Sequence, residues 1–267
     1  MPIDSITLNS VTRTGLNALK RADEQSAQHQ GSLSSGQRVN SIRDDAVAFA
    51  AAKALTDRAG DLATFKDRSS AGISTIGAAL DGAGTVEPLL GQLRGIAQAA
   101  RASETATERA AFADQFNAVR NQIDQVVGDS SYQGANLLSA GSSLTAGDVT
   151  VTARDSSTAG LGLAAAPTGG AGFTDAAIET ALAQIDAASA QVRATQASLG
   201  SSIAALTIQA DNAQQLRGIA AEGGLRLTEA DLNEDAAGVT AAATRQQLSR
   251  VALTIGRDQQ TSILSLF

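Results

Sequence analysis

His29 is the only imidazole in the chain, and there is no cysteine. A Ser/His/Asp triad would have to use His29. Zinc sites needing two imidazoles, HExxH included, are excluded, as are thiolate metal sites, disulfide frameworks and cysteine nucleophiles. Set in a polar helical stretch, His29 reads as an exposed residue of a terminal helix rather than a general base. The other concentration of reactive groups is Arg38, Asn40, Arg43, Asp44 and Asp45. Two carboxylates beside two guanidiniums suit a solvated charge cluster or a polar contact between chains that sets register. No catalytic residue, cofactor site or metal site is expected. The balance of 20 Lys+Arg against 27 Asp+Glu, a net charge of -7, argues against a nucleic-acid partner, which needs a basic stripe. No run reaches about 18 uncharged apolar residues, so membrane insertion is not expected. The beginning, Met1-Pro2-Ile3-Asp4-Ser5-Ile6, has neither a basic n-region nor an apolar h-region. The chain is therefore expected to stay in the cytoplasm or to leave by a route without a cleaved signal.

The elements that would position these residues are helical. About a fifth of the 267 residues are Ala, the best helix former, while Phe, Tyr and Trp number 6, 1 and 0. Such a chain packs thin, close-set helices rather than one thick core. Proline occurs only at Pro2, Pro88 and Pro167, leaving long stretches free for helix. A seven-residue stride runs Leu55, Leu62, Ser69, Ile76, Ala83, Leu90, Ala97, with Phe65, Ile73 and Leu80 in the neighbouring row. Phe112, Phe116, Val119, Ile123 and Val126 step 4-3-4-3. A third stripe alternates steps of 4 and 3 from Ile178 through Leu182, Ile185, Ser189, Val192, Gln196, Leu199, Ile203, Leu206 and Ala210 to Ala213, with Ser189 and Gln196 as its polar members. These stripes predict three long helices, expected to run antiparallel, in a mainly α, coiled-coil-like bundle, with ordinary amphipathic helices of a compact bundle as the plainer reading. Pro88 falls inside the first stripe and should kink or interrupt that helix, and Gly82, Gly84, Gly91 and Gly95 weaken it further. Residues 129–175 are rich in glycine. Within them Asp148-Val149-Thr150-Val151-Thr152-Ala153 alternates like a strand, and Ser142-Ser143-Leu144-Thr145 can pair with it. A β-hairpin near 142–153, followed by a Gly/Ala loop, is expected.

The two ends resemble each other in character. Residues 1–45 hold five basic and five acidic residues, and residues 225–267 hold four and five. Each is amphipathic in a helical frame and too weak to fold alone. Their apolar residues suit either docking on the chain's own domain or burial among copies of the chain.

Leu33-Ser34-Ser35-Gly36-Gln37-Arg38-Val39-Asn40-Ser41 with Asp44-Asp45-Ala46 resembles the N-terminal signature of bacterial flagellin. Gly72-Ile73-Ser74-Thr75-Ile76 and Tyr132-Gln133-Gly134-Ala135-Asn136-Leu137-Leu138 resemble its following segments. Asp231-Leu232-Asn233-Glu234, Arg245-Gln246-Gln247-Leu248 and Ser262-Ile263-Leu264-Ser265-Leu266-Phe267 resemble its C-terminal signature. The resemblance implies a self-assembling subunit of the extracellular flagellar filament, used for swimming and not an enzyme. It implies that residues 1–45 and 225–267 pair as terminal helices of the filament core. Residues 46–224 would then form a rod-like helical domain with the hairpin, and the outer variable domains would be absent. It further implies filament-core contacts at Ile3, Ile6, Leu8, Val11, Leu16, Leu19, Leu248, Val251, Ile255, Leu264, Leu266 and Phe267, and a core–rod junction at Arg38, Asn40, Arg43, Asp44 and Asp45. Its implied partners are other flagellin copies in a helical homopolymer, hook-associated and cap proteins, and an export chaperone that delivers the chain to the flagellar type III apparatus. O-glycosylation, a habit of the family, would fall on Ser142, Ser143, Thr145, Ser156, Ser157 and Thr158. The hairpin would share in supercoil switching.

The pattern also departs from the family. Ser32 stands where an Arg usually precedes Leu-Ser-Ser-Gly, and Val47-Ala48-Phe49 follows where a glycine is common. In the segment that binds Toll-like receptor five in many flagellins, Gln92 takes the place of the key Arg and Gly95 that of an acidic residue. Gln115 occupies the matching acidic position on the next helix. Weak or no activation of that receptor is expected. The alternatives from this sequence are a hook–filament junction protein and a flagellin-derived surface binding protein, the latter without an aromatic platform for sugar stacking.

Overall fold

The computed structural model describes residues 10–168 and 172–264. In chain order these form α1 (Ser10–Ser35), α2 (Ala46–Ala102), α3 (Ala106–Asp129), β1 (Ser143–Ala146), β2 (Val149–Thr152), α4 (Asp175–Thr228) and α5 (Leu232–Leu264). The fold is mainly α with one small antiparallel hairpin, as the periodicity predicts. It divides into two units. One comprises the described residues up to Ala59 and from Gly218 onward, and the other is Gly60–Arg217.

Unit Gly60–Arg217 carries the large core. On α2 the residues Ile76, Ala79, Ala83, Val86, Leu90, Leu93, Ala97 and Ala100 are all buried, a strict 3-4 alternation. This is the a/d seam of a coiled coil, alternating large and small side chains so that neighbouring helices approach closely. The stride through Ile76, Ala83, Leu90 and Ala97 matches expectation. Its companion row runs through Ala79, Val86 and Leu93, whereas Ile73 and Leu80 are only half-buried. On α4, Ile178, Ile185, Val192, Leu199, Leu206 and Ala213 form one buried row at seven-residue intervals. Phe116, Val119 and Ile123 supply the face of α3.

Pro88 does not interrupt α2, which runs unbroken from Ala46 to Ala102. Proline removes the bond to the carbonyl four residues back, that of Gly84. Pro88 and Gly84 are both exposed, so the freed carbonyl faces water, while buried Val86 and Leu90 on either side hold the helix against its neighbours.

Charges flank the seam in the same rhythm. Glu87 pairs with Arg193 at 2.9 Å, Arg94 with Asp186, and Arg101 with Glu179 at 3.5 Å. Each step forward by seven on α2 is a step back by seven on α4, so the two helices run antiparallel. Exposed pairs like these contribute about 0.2–1 kcal/mol each, and their main effect is to fix register.

The hairpin pairs Ser143 with Thr152 through Ala146 with Val149. Gly147, at φ 57°, opens its two-residue turn, the position at which type II′ turns place glycine. The segment after it is no loose loop. Leu161, Leu163, Ala166 and Phe173 are buried in the core, and Phe173 meets Phe116 with ring centroids 5.8 Å apart. A polar stripe on α3 clasps this segment. Asn117 exchanges two hydrogen bonds of 2.9 Å with the Ala166 backbone. Arg120 donates to the Leu163 carbonyl and the Thr158 hydroxyl, and Asp124 accepts from the Thr158 N–H and hydroxyl.

Candidate assembly surface

In the other unit α1 and α5 lie side by side. Their contacts follow an antiparallel order: Gly15 meets Leu253, Ala22 meets Gln246, Gln25 accepts from Arg245 at 2.9 Å, and His29 meets Asp235. Small residues line the contact. Ala22, Ser26, Ser32 and Ala242 are buried, and no large apolar side chain of either helix is buried among the described residues. His29 is half-buried rather than exposed. Its Nδ1 lies 2.7 Å from Asp235 Oδ1 and its ring covers Gly238, where an added Cβ would fall 2.7 Å from the ring. This lone imidazole is a packing and hydrogen-bonding group between two helices, because the polar face around it is the face that α5 covers.

The 36–45 segment connects α1 to α2 and is tied to the chain around Thr228. The N–H groups of Arg38 and Val39 both donate to the Thr228 carbonyl, and the Ala230 N–H donates to the Gly36 carbonyl. Arg38 also donates to the Leu227 carbonyl at 3.0 Å and stands 3.9 Å from Asp45. The Asn40 amide donates to Ser35 Oγ and the Gln37 carbonyl. Asp44 Oδ2 accepts from the backbone N–H groups of Ser41 and Asn40 at 2.8 and 3.0 Å, and these bonds hold its carboxyl below the ordinary aspartate range. Asp45 caps α2, accepting from the N–H groups of Val47 and Ala48. Arg43 is exposed. The two carboxylates are thus engaged within the chain, as a turn lock and a helix cap. Asp231 does the same for α5, accepting from the N–H groups of Asn233 and Glu234. The Asp-x-x-Glu spacing of 231–234 was the available sequence signal for that cap.

The expected assembly residues separate into two groups. Ile3, Ile6, Leu8, Leu266 and Phe267 lie outside the described residues, and Val11 and Leu264 fall on described helix backbone. Leu19 is half-buried. Leu16, Leu248, Val251 and Ile255 are exposed, the last three at 65%, 56% and 54%. Residues 248, 251 and 255 fall on one face of α5. The residues of α5 that meet α1 (238, 242, 246 and 253) point the opposite way. An apolar stripe therefore remains uncovered in the single chain. Among the candidate glycan hosts, Ser156 and Thr158 are buried, and the Thr158 hydroxyl is engaged by Arg120 and Asp124. This removes both from the set. Ser143 and Thr145 are exposed, and Ser142 and Ser157 are half-buried. No cluster of three or more metal-ligating side chains occurs among the described residues, and no described helix is long and apolar enough to cross a membrane.

Residues 6–143 match the family description of the bacterial flagellin N-terminal helical region, and residues 182–267 that of the C-terminal helical region. The chain is similar over its whole length, and over the whole length of the relative, to Flagellin FljM of Caulobacter vibrioides at 30% identity. It is similar to Flagellin FljK and Flagellin FljO of the same organism at 29% and 30%, again with complete coverage of both chains.

Proposed function

The chain belongs to the bacterial flagellin family and is a structural subunit that self-assembles with other copies into the helical flagellar filament; from that premise we propose how its parts divide the work. Full-length similarity to short flagellins does not favour a junction protein or a surface binding protein. Residues 1–45 and 225–267 form the filament core, and residues 46–224 form the rod outside it. The observation that carries this reading is the stripe of Leu248, Val251 and Ile255, more than half exposed on a helix whose other face is already paired. Such a stripe is a liability in a lone chain and an adhesive surface among copies. Ile3, Ile6, Leu8, Val11, Leu16, Leu19, Leu264, Leu266 and Phe267 complete the core. Arg38, Asn40, Arg43, Asp44 and Asp45 stiffen the passage from core to rod.

Before assembly the chain is held by an export chaperone and leaves the cell through the flagellar type III apparatus, and hook-associated and cap proteins meet it at the filament ends. The hairpin shares in supercoil switching. Exposed Gln92 stands where the receptor segment's key cation would be, exposed Gln115 stands where its acid on the next helix would be, and Arg94 is paired to Asp186. A Toll-like receptor five reporter cell line is expected to respond weakly to the purified monomer. Glycans, where attached, sit on Ser142, Ser143, Thr145 or Ser157, and an intact mass equal to that of the sequence would remove that assignment.

Seeded polymerisation followed by electron microscopy tests the division. The full chain should extend seeds, and a version trimmed to 46–224 should not. Elongation by the trimmed chain would refute the assignment of the core to the termini.

A further inference from the structure

The unit that holds α1 and α5 also carries a mainly apolar groove that no described residue fills. It encloses about 390 Å³ and is lined mainly by Val39, Phe49, Ala52, Ala221 and Leu225, with Lys53 as its sole charged residue. Leu225 is 60% exposed at its edge. Elsewhere in the same unit, Leu248, Val251, Ile255 and Asp258 follow each other at spacings of three, four and three on α5. They form one row, three apolar side chains ending in an anion. On that face, between residues 244 and 262, Asp258 is the sole charge. The two surfaces match in character: the groove is mainly apolar, with Gln37, Asn40, Thr56 and Thr228 as its uncharged polar residues, and each surface carries one charge, a cation on the groove and an anion on the row.

They cannot meet within one chain. The groove lies beside Thr228, and α5 begins at Leu232 and runs away along α1. At 1.5 Å per residue, Leu248 is about 24 Å and Ile255 about 35 Å along that helix. We propose that the groove receives the Leu248–Val251–Ile255 row of a second copy, with Lys53 facing Asp258 of that copy. This rests on the reading of the chain as a homopolymer subunit and deepens it by naming the contact. Groove and row are different surfaces, so every subunit is donor and acceptor at once. Repetition of such a heterologous contact gives an open helical polymer rather than a closed pair. The offset between them along α5 also staggers successive copies, which suits a tube.

Charge reversal and cross-linking test the contact on the full chain. Lys53→Glu and Asp258→Lys should each raise the critical concentration for seeded growth by about three- to tenfold. The double variant should return it to within about twofold of the parent. Lys53 also pairs with Asp57 in its own helix, but loss of that pair is not repaired by a change at position 258, so rescue separates a contact from local damage. Because the chain has no cysteine, Ala221→Cys with Val251→Cys places a unique thiol pair. Oxidised filaments should give a ladder of cross-linked oligomers, and the monomer should give none. Normal growth of the parent together with unaffected single variants and no ladder overturns the contact while leaving the filament assignment intact. Cross-linking of the thiol at position 221 to a thiol placed within residues 1–9, in preference to the one at position 251, would identify the N-terminal segment as the occupant and also overturn it. Failure of the parent to extend seeds would refute both.

Discussion

Gly238 sits where α5 passes under the ring of His29, and a methyl group there would lie 2.7 Å from the nearest ring atoms. In an exposed helix interior, exchanging glycine for alanine stabilises by up to about 1 kcal/mol. Here the ring is held to Asp235 and backed by α1, so the sign reverses. In the assembled filament, where α1 and α5 are protected, Gly238→Ala should destabilise the α1–α5 pair by about 1–3 kcal/mol, read there as faster amide exchange in both helices. An unchanged or slower exchange would show that the ring simply swings aside. Asp44 makes a second prediction at this scale. Its carboxyl is held below the ordinary range chiefly by the N–H of Ser41 and then by that of Asn40. A group whose folded value is depressed stabilises the fold above its unfolded value, about 3.9, and loses that effect as pH falls through the lower folded value. The turn at 40–45 should therefore be intact at neutral pH and loosen only in strong acid. Backbone chemical shifts of Asn40 and Ser41 should follow one acid titration below about pH 4, and Asp44→Asn should abolish it.

Among the elements, α2 shows what periodicity reveals and what it conceals. The stride through Ile76, Ala83 and Leu90 is a property of the sequence alone, and Leu90→Ala should cost about 2–5 kcal/mol in the melting of unit Gly60–Arg217. The effect of Pro88 depends on which face it occupies. Its exposure, shared with Gly84, lets the helix continue, so Pro88→Ala should stabilise α2 by about 1–3 kcal/mol, visible as a raised Tm. A lowered Tm would mean that the proline shapes the helix usefully. Gly82 likewise reads as a weak point in sequence. In the fold a Cβ there would fall 2.0 Å from Ser130 Oγ and 2.9 Å from Leu138, so the glycine permits a close approach. The ladder of Glu87–Arg193, Arg94–Asp186 and Arg101–Glu179 was illegible for a related reason, since an antiparallel run alone leaves the register of α2 against α4 open and only the register selects the partners. The Gly/Ala loop after the hairpin hid its buried Leu161, Leu163 and Phe173 because loops have no period to betray a buried face. The junction carboxylates were legible as a cluster but not as caps, for capping depends on where each helix begins, which is the least determined feature of a sequence pattern.

At the scale of the whole molecule, burial is unequally shared. Among the described residues, all twelve of the largest fully buried side chains, Phe116, Phe173 and Leu90 among them, belong to Gly60–Arg217. The unit containing α1 and α5 buries alanines and serines at the contact between those helices, with His29–Asp235 and Arg245–Gln25 as polar ties. At about 25 cal/mol per Å² of apolar surface, small side chains contribute little against an ordering cost of about 1–2 kcal/mol per residue. Unit Gly60–Arg217 should therefore be stable in the monomer, while the α1–α5 pair opens with a free energy near the low end of the scale. Hydrogen exchange on the monomer should show rapid exchange through α1 and α5 and strong protection through Ile76–Ala100 and Ile178–Leu206. On polymerisation, protection of α1 and α5 should rise by at least about a hundredfold, because the exposed row at Leu248, Val251 and Ile255 then acquires neighbours, and protection within Gly60–Arg217 should change far less. The contrast matters more than either value. Equal protection of both units in the monomer would mean that the terminal pair is already folded without neighbours. Assembly would then be a docking of finished surfaces rather than a step that completes the fold.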